Sequence, residues 1–269
     1  MTPPETIHSR SNPLFRQLRA LKQRGALDDL MLLEGRKLIE EALAAGMRLV
    51  AVAVADGLAR APRGRALLQI LGRHGIEPRQ LDDVLLASIS EVETSQGVVA
   101  LAHRPVFQED ELYRSRPLIL VASAVQNPGN LGALMRVAEA AGATGAYLTV
   151  GSADPYSWKA LRGAMGSAFR FPCICAADAQ DVLQRLRGRG LVSLAAVASG
   201  GVPYDRVDMR RPLALWLGNE GAGLPQDLVS RIDEHVTVPV APLVESLNVA
   251  VAGGLLLFEA ARQRRGTTS

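Results

Sequence analysis

The sequence predicts an α/β protein built as two blocks, and three observations predict it. Short apolar runs of strand length alternate with stretches whose apolar residues recur at helical spacing, the pattern of sheets covered by helices. A polar segment over 105–116, with Pro105, Gln108, Glu109, Asp110 and Glu111 and no apolar period, divides that alternation in two. The 269 residues, 48% hydrophobic and 21% charged, suffice for one large domain or two modest ones with an ordinary apolar core. The expected organisation is a first domain over 1–104, a linker over 105–116 and a second domain over 117–269. The other reading of the polar segment is a surface loop inside one larger domain.

In the first block, Asn12-Pro13 signals a helix start, and Leu14, Phe15, Leu18 and Leu21 share one face of the helix that follows. Arg10, Arg16, Arg19, Lys22 and Arg24 occupy much of the rest. A strand over 30–33, a helix over 35–45, a strand over 49–54 and a helix near 65–74 come next. Short segments around 79–81 and 98–102 complete a small α/β sandwich with a largely parallel or mixed sheet. In the second block, strands are expected at 118–122, 146–150, 191–197, 213–217 and 236–238. Helices are expected at 131–141 (ended by Gly142), near 158–165, near 181–189 and at 248–264. Strands that are apolar throughout indicate a sheet buried on both faces.

Composition narrows the function classes. The net charge is +3 and the isoelectric point is near 9.1. Arginine, which pairs bidentately with phosphate, supplies most of the positive charge. That balance permits a nucleic-acid partner, and an arginine-rich codon bias explains it equally well. Cys173 and Cys175 are the two cysteines, in a C-x-C spacing with no histidine nearby. A zinc site needs about four ligands, so the pair is expected on alternate faces of a strand. His8, His74, His103 and His235 are scattered, and no metal is expected. Low cysteine usage and a polar, basic N-terminus without a secretory signal point to the cytoplasm. No apolar stretch approaches the roughly 20 residues of a membrane span.

Three loops of the second block carry unusual chemistry where ligands of open α/β sheets bind, beyond the carboxyl ends of strands. They are 126–130 (QNPGN), 218–223 (GNEGAG) and the run from Pro239 through Glu245 into Ser246-Leu247-Asn248. There is no G-x-x-x-x-G-K-[ST], so a P-loop is excluded, and G-x-x-G-x-G is not the dinucleotide fingerprint. Taken singly, each polar residue has a plain structural reading. Asn130 is placed to cap the helix after it, and Ser246 and Asn248 to cap the last helix. Glu220 reads as a solvated loop carboxylate. Arg136, off the stripe of Leu131, Leu134, Ala138 and Ala141, reads as a surface arginine.

Read together and in order, the stretches 127–143 (NPGNLGALMRVAEAAGA), 217–224 (LGNEGAGL) and 238–252 (VPVAPLVESLNVAVA) resemble the SpoU/TrmH family of SPOUT-class RNA ribose methyltransferases. The first block, through 31–42 (MLLEGRKLIEEA), is similar to that family's substrate-binding domain. The resemblance implies a small ribosomal-protein-like α/β domain followed by a SPOUT α/β domain with a C-terminal trefoil knot. It implies S-adenosylmethionine as cofactor, bent among the knotted loops, and a methyl group passed to a ribose 2′-hydroxyl. The RNA is expected to be structured, ribosomal RNA rather than tRNA; a tRNA enzyme and a non-catalytic RNA-binding protein are the alternatives. A homodimer is implied, with the active site near the subunit interface. The apolar last helix, with Leu247, Val249, Val251, Leu255, Leu256, Leu257 and Phe258, fits that picture, although an intrachain core would bury it equally.

Residue by residue, the resemblance assigns catalysis to Asn130, Arg136, Glu220, Ser246 and Asn248. The cofactor falls to Leu217, Gly218, Asn219, Gly221, Val238, Val240, Ser246 and Leu247. RNA contacts are expected at Arg10, Arg16, Arg19, Lys22 and Arg36. A guanidinium stays protonated in proteins, so Arg136 fits the binding of phosphate and the stabilisation of developing alkoxide better than the role of base. Two positions depart from the family pattern. Pro242 stands where glycine is common, and Val240 where methionine is frequent; a proline there lacks an N–H donor.

Overall fold

The computed structural model describes residues 6–24, 29–90 and 95–265. The chain divides into two compact units, Met1–Pro105 with Tyr156–Phe169, and Val106–Pro155 with Arg170–Ser269.

The first unit holds α1 (Pro13–Arg24), β1 (Leu30–Glu34), α2 (Arg36–Ala44), β2 (Leu49–Val54), α3 (Pro62–Arg73), β3 (Arg79–Gln80), α4 (Asp83–Ile89) and β4 (Val98–His103). The four strands form a mixed sheet in the order β1-β4-β2-β3. β4 runs antiparallel to both β1 and β2, and β3 runs parallel to β2. The apolar face of α1, Leu14, Phe15, Leu18 and Leu21, packs with Leu85, Leu86 and Ile89 of α4 against Leu32, Val99 and Leu101 of the sheet. α4 is too short for periodicity to reveal. Its start is nonetheless encoded, because the Asp82 carboxylate accepts from the Val84 N–H at 2.9 Å.

The second unit is a parallel seven-stranded sheet. In chain order it contributes β5 (Leu118–Ala122), α5 (Pro128–Ala140) and β6 (Gly145–Thr149). After α6 (Trp158–Ala164) and the short α7 (Ser167–Arg170), which fall almost wholly in the first unit, come β7 (Cys173–Ala177), α8 (Ala179–Gly188) and β8 (Val192–Ala196). β9 (Val202–Pro203), β10 (Leu213–Leu217), α9 (Gln226–Val229), β11 (Glu234–Thr237) and α10 (Val249–Arg265) complete it. The strand order is β7-β6-β5-β10-β8-β11-β9. β5, β6 and β10 are buried along their whole length, as their unbroken apolar runs require.

Three expectations need correction. Residues 106–116 are no free linker, because they pack as part of the second unit: a 3₁₀ turn over Glu109–Tyr113 buries Leu112. Tyr147 donates to Glu109 at 2.6 Å, and Arg185 and Arg189 each donate at 2.6 Å, to Glu109 and Asp110. Residues 156–169, placed by sequence in the second domain, cluster with the first unit. There α6 packs on β1, and the Trp158 indole donates to Glu34 at 2.8 Å. A helix's apolar face does not record which sheet covers it. The two cysteines lie in β7 with their sulfurs 4.0 Å apart. Residues two apart on a strand point to one side, not to alternate faces.

Two contacts fix the end of the chain's last helix. Gly253 and Gly254 let α10 lie close on α5; a Cβ on Gly253 would sit 2.5 Å from Leu134 and 2.6 Å from Leu217. At the other end of α10, the Arg264 guanidinium donates to the carbonyls of Arg116, Pro117, Met209 and Arg211 at 2.8, 3.2, 2.9 and 2.6 Å. α10 is not buried all round. Val251, Leu255 and Phe258 are 53%, 40% and 48% exposed and lie along one stripe.

Candidate functional site

The site begins with the loop after β10. Gly218 has no room for a side chain, since a Cβ would lie 2.2 Å from the Gly223 carbonyl carbon and 2.4 Å from the Leu224 nitrogen. The backbone of Asn219 exchanges both hydrogen bonds with Gly223, which takes φ +68° to close the turn. The Asn219 amide oxygen accepts from Gly221 N–H and Ala222 N–H at 2.9 and 3.0 Å, and its NH₂ donates to the Ala124 carbonyl at 3.0 Å. The loop is thereby tied to the loop after β5.

Glu220, at the tip, makes the next connection. Its carboxylate accepts from Gln126 N–H (3.2 Å), Asn127 N–H (3.0 Å) and the Asn130 NH₂ (3.1 Å). Partial burial works to raise the carboxyl's pKa, but its own backbone N–H, the Asn130 amide and the N–H groups of Asn127 and Gln126 outweigh it and hold the group below its ordinary value. A carboxylate only accepts, so it dictates which way the Asn130 amide faces. The Asn130 oxygen then receives the Asn248 NH₂ at 3.0 Å, and the Asn248 oxygen caps α10 through Ala250 N–H at 2.9 Å. One chain of hydrogen bonds, Glu220–Asn130–Asn248, thus joins all three loops. The expected cap of α5 moves: Asn127, not Asn130, accepts from Gly129 N–H and Asn130 N–H, which leaves the Asn130 side chain free for Glu220.

Behind this chain lies a cavity of 740 Å³, within the range of small-ligand pockets. Its lining includes every residue expected at the cofactor: Leu217, Gly218, Asn219, Gly221, Val238, Val240, Ser246 and Leu247. Asn130, Glu220 and Asn248 reach it as well. Arg136 does not. It is exposed on α5 and makes no hydrogen bond or ion pair with a described residue. Sequence reasoning gave no site role to Gln226, His235 and Glu245, which also line the cavity; Gln226 and His235 stand in no recognisable motif, and Glu245 lies in the third one. Pro242 fits its backbone: it occupies the second position of a turn closed by Val244 N–H on the Ala241 carbonyl, where proline is favoured and no N–H is needed for the turn. Among the described residues, no group of three or more His, Cys, Asp and Glu side chains is placed to hold a metal ion.

The residues expected at RNA divide in two. Arg10, Arg16 and Arg19 are exposed. Lys22 instead donates to the Ser88 and Ser90 carbonyls at the end of α4, and Arg36 pairs with both oxygens of Glu40 one helical turn on, at 2.8 and 2.9 Å.

The SpoU rRNA Methylase family model matches residues 117–258, the segment that contains all three loops. The chain belongs to the SpoU rRNA methylase family. The model of an MRM3-like substrate binding domain matches residues 12–100. The 23S rRNA (guanosine(2553)-2′-O)-methyltransferase RlmP of Bacillus subtilis is 33% identical over 244 residues, covering 91% of this chain and 93% of that protein. A crystal structure of an RNA 2′-O ribose methyltransferase superimposes with a TM-score of 0.84 at 32% identity, covering 97% of this chain and all of that one. An S-adenosylmethionine-bound rRNA methyltransferase from Sinorhizobium meliloti gives 0.83 at 30% identity, over 98% and 99% of the two chains. As a SpoU methylase the chain uses S-adenosylmethionine, and its cavity suits that molecule. Leu217, Val238, Val240 and Leu247 line the cavity with apolar side chains of the kind an adenosyl group would pack on, and the bare Gly218 backbone leaves room for close approach.

Proposed function

We propose that this SpoU methylase transfers a methyl group to a ribose 2′-hydroxyl of ribosomal RNA. The observation that carries the reading is the Glu220–Asn130–Asn248 chain at the lip of the cavity. Bound S-adenosylmethionine supplies a methyl group on a positively charged sulfur, already a good leaving group. The protein's work is on the acceptor. Transfer would form the ribose O–CH₃ bond as the S–CH₃ bond breaks, with the hydroxyl proton passing to solvent, so the chain's own residues need only hold and polarise the acceptor oxygen.

Each NH₂ in the chain spends one hydrogen on its neighbour and keeps one for an incoming oxygen. Two aligned donors at the lip hold a ribose oxygen in place and favour the negative charge that develops on it. Arg136, protonated and unpaired among the described residues, supports the same reading as an anchor for RNA phosphate. Arg10, Arg16 and Arg19 offer further phosphate contacts from the first unit.

The assembly is read as a homodimer through the exposed Val251, Leu255 and Phe258 stripe of α10, with the family's trefoil knot formed by the loops around the cavity. A cytoplasmic location suits a ribosomal RNA substrate, and no helix among the described residues is long and apolar enough to cross a membrane.

The test uses tritiated S-adenosylmethionine with unmodified ribosomal RNA and, separately, tRNA. The expected result is label in an alkali-resistant dinucleotide from ribosomal RNA, reduced roughly a hundredfold or more in Arg136→Ala. Label in tRNA alone would move the substrate. Binding of RNA without any transfer would favour a non-catalytic role.

A further inference from the structure

Between β5 and the first loop the chain turns at Ala124, which has φ 52°. That is left-handed backbone, disfavoured for any residue with a side chain. Both peptide groups of Ala124 are held. Its N–H donates to the Thr149 hydroxyl at 3.1 Å, and its carbonyl accepts the Asn219 amide at 3.0 Å. Thr149, at the end of β6, is 4% exposed and takes no part in lining the cavity. The next residue, Val125, is buried, and its carbonyl accepts from Ala153 N–H at 2.8 Å. Immediately after it come the N–H groups of Gln126 and Asn127, both directed onto Glu220.

We infer that Thr149 is a positioning residue for methyl transfer: with Asn219 it clamps Ala124 in its left-handed turn and so aims the Gln126 and Asn127 N–H groups at Glu220. The effect runs outward from a buried hydroxyl. Without the clamp, Ala124 relaxes toward ordinary backbone, and the two N–H groups rotate off the carboxylate. Glu220 then no longer dictates the facing of the Asn130 amide, and through it of Asn248. The apolar cofactor walls, Leu217, Val238, Val240 and Leu247, take no hydrogen bond from Ala124, and the Asn219 loop, which does, is also closed on itself through Gly221, Ala222 and Gly223. The clamp therefore acts on the rate of transfer and leaves cofactor affinity alone. This inference rests on the methyl-transfer reading.

The experiment uses the full chain and compares Thr149→Val, Thr149→Ser and the double variant Thr149→Val with Ala124→Gly. Single-turnover methylation of ribosomal RNA at saturating S-adenosylmethionine is measured alongside cofactor Kd by calorimetry. Thr149→Val is expected to slow transfer roughly five- to tenfold, the worth of one hydrogen bond, with Kd unchanged within about twofold. Thr149→Ser keeps the hydroxyl and should match the wild type. The double variant should regain part of the lost rate, because glycine holds a positive φ without help. Thr149→Ala must show the same split of rate from affinity, and it stands in where the valine variant fails to fold. A Thr149→Val protein as fast as wild type overturns the clamp, as does a Kd that weakens in step with the rate, or a serine variant no better than valine. Absence of transfer by the wild type would instead overturn the methyltransferase reading itself.

Discussion

A carboxylate that receives three N–H groups is sensitive to the loss of one oxygen. In Glu220→Gln one acceptor becomes a donor and is turned against Asn127 N–H, Gln126 N–H or the Asn130 amide. Hydrogen bonds to a charged group contribute about 1.5–3 kcal/mol each. Single-turnover methylation is therefore expected to fall at least tenfold, while a circular-dichroism spectrum stays native; an unchanged rate would remove Glu220 from the mechanism. The pH dependence has a definite sign. The folded pKa lies below the ordinary 4.5, so the ordering effect of Glu220 is fully present above that value. It is lost only as pH falls through the lower folded value, and a Glu220-dependent loss of rate beginning near neutrality would contradict the arrangement. Asn127→Ala tests a different bond. It removes the α5 cap and should lower stability by about 1 kcal/mol in a denaturant titration.

At the scale of elements, two glycines that both lack room make unequal predictions. A methyl on Gly218 meets rigid backbone of Gly223 and Leu224, whereas one on Gly253 meets the ends of the Leu134 and Leu217 side chains. Gly218→Ala should weaken S-adenosylmethionine binding about tenfold or more and destabilise by roughly 1–3 kcal/mol. Gly253→Ala should be milder, since leucine termini can move, and calorimetry on the pair orders the two effects. The legibility of the site follows from similar reasoning. The three loops were readable because each one's chemistry is contiguous in the chain and their order is fixed. Thr149 was not readable, since one threonine at a strand end is indistinguishable from any other until Ala124 is seen beside it. Asn127 and Asn130 both have the composition of a cap, and only the direction of the Glu220 carboxylate separates them. Five of the seven strands of the parallel sheet were located to within a residue or two; β7 was expected only as a strand carrying the two cysteines, and the two-residue β9 was not expected. Seven-residue α4 was missed, because two turns carry too little period to stand out.

For the whole molecule, the proposed homodimer is tested at the exposed stripe on α10. Phe258→Glu puts a charge in the middle of it, and sedimentation should show the wild type at twice the mass of the variant, with cofactor affinity retained. Equal masses would leave the stripe without a partner of its own kind. The place of 156–169 was not legible in the sequence, because apolar residues of α6 serve the first unit from a position far along the chain. Synthesis, which delivers residues in order, meets the same interlacing. The first unit lacks α6 until about a third of the second has already been made. β5 emerges well before β10, its pairing partner, and the Arg116 carbonyl waits 148 residues for the Arg264 guanidinium. At ordinary translation speeds that interval is roughly ten to thirty seconds. For about the first two thirds of it, until β10 is made, the apolar edge of β5 has no native neighbour on that side. A growing chain of this design spends that time dependent on whatever shields nascent strands; β10 ends the exposure, and the last helical turn closes the unit afterwards.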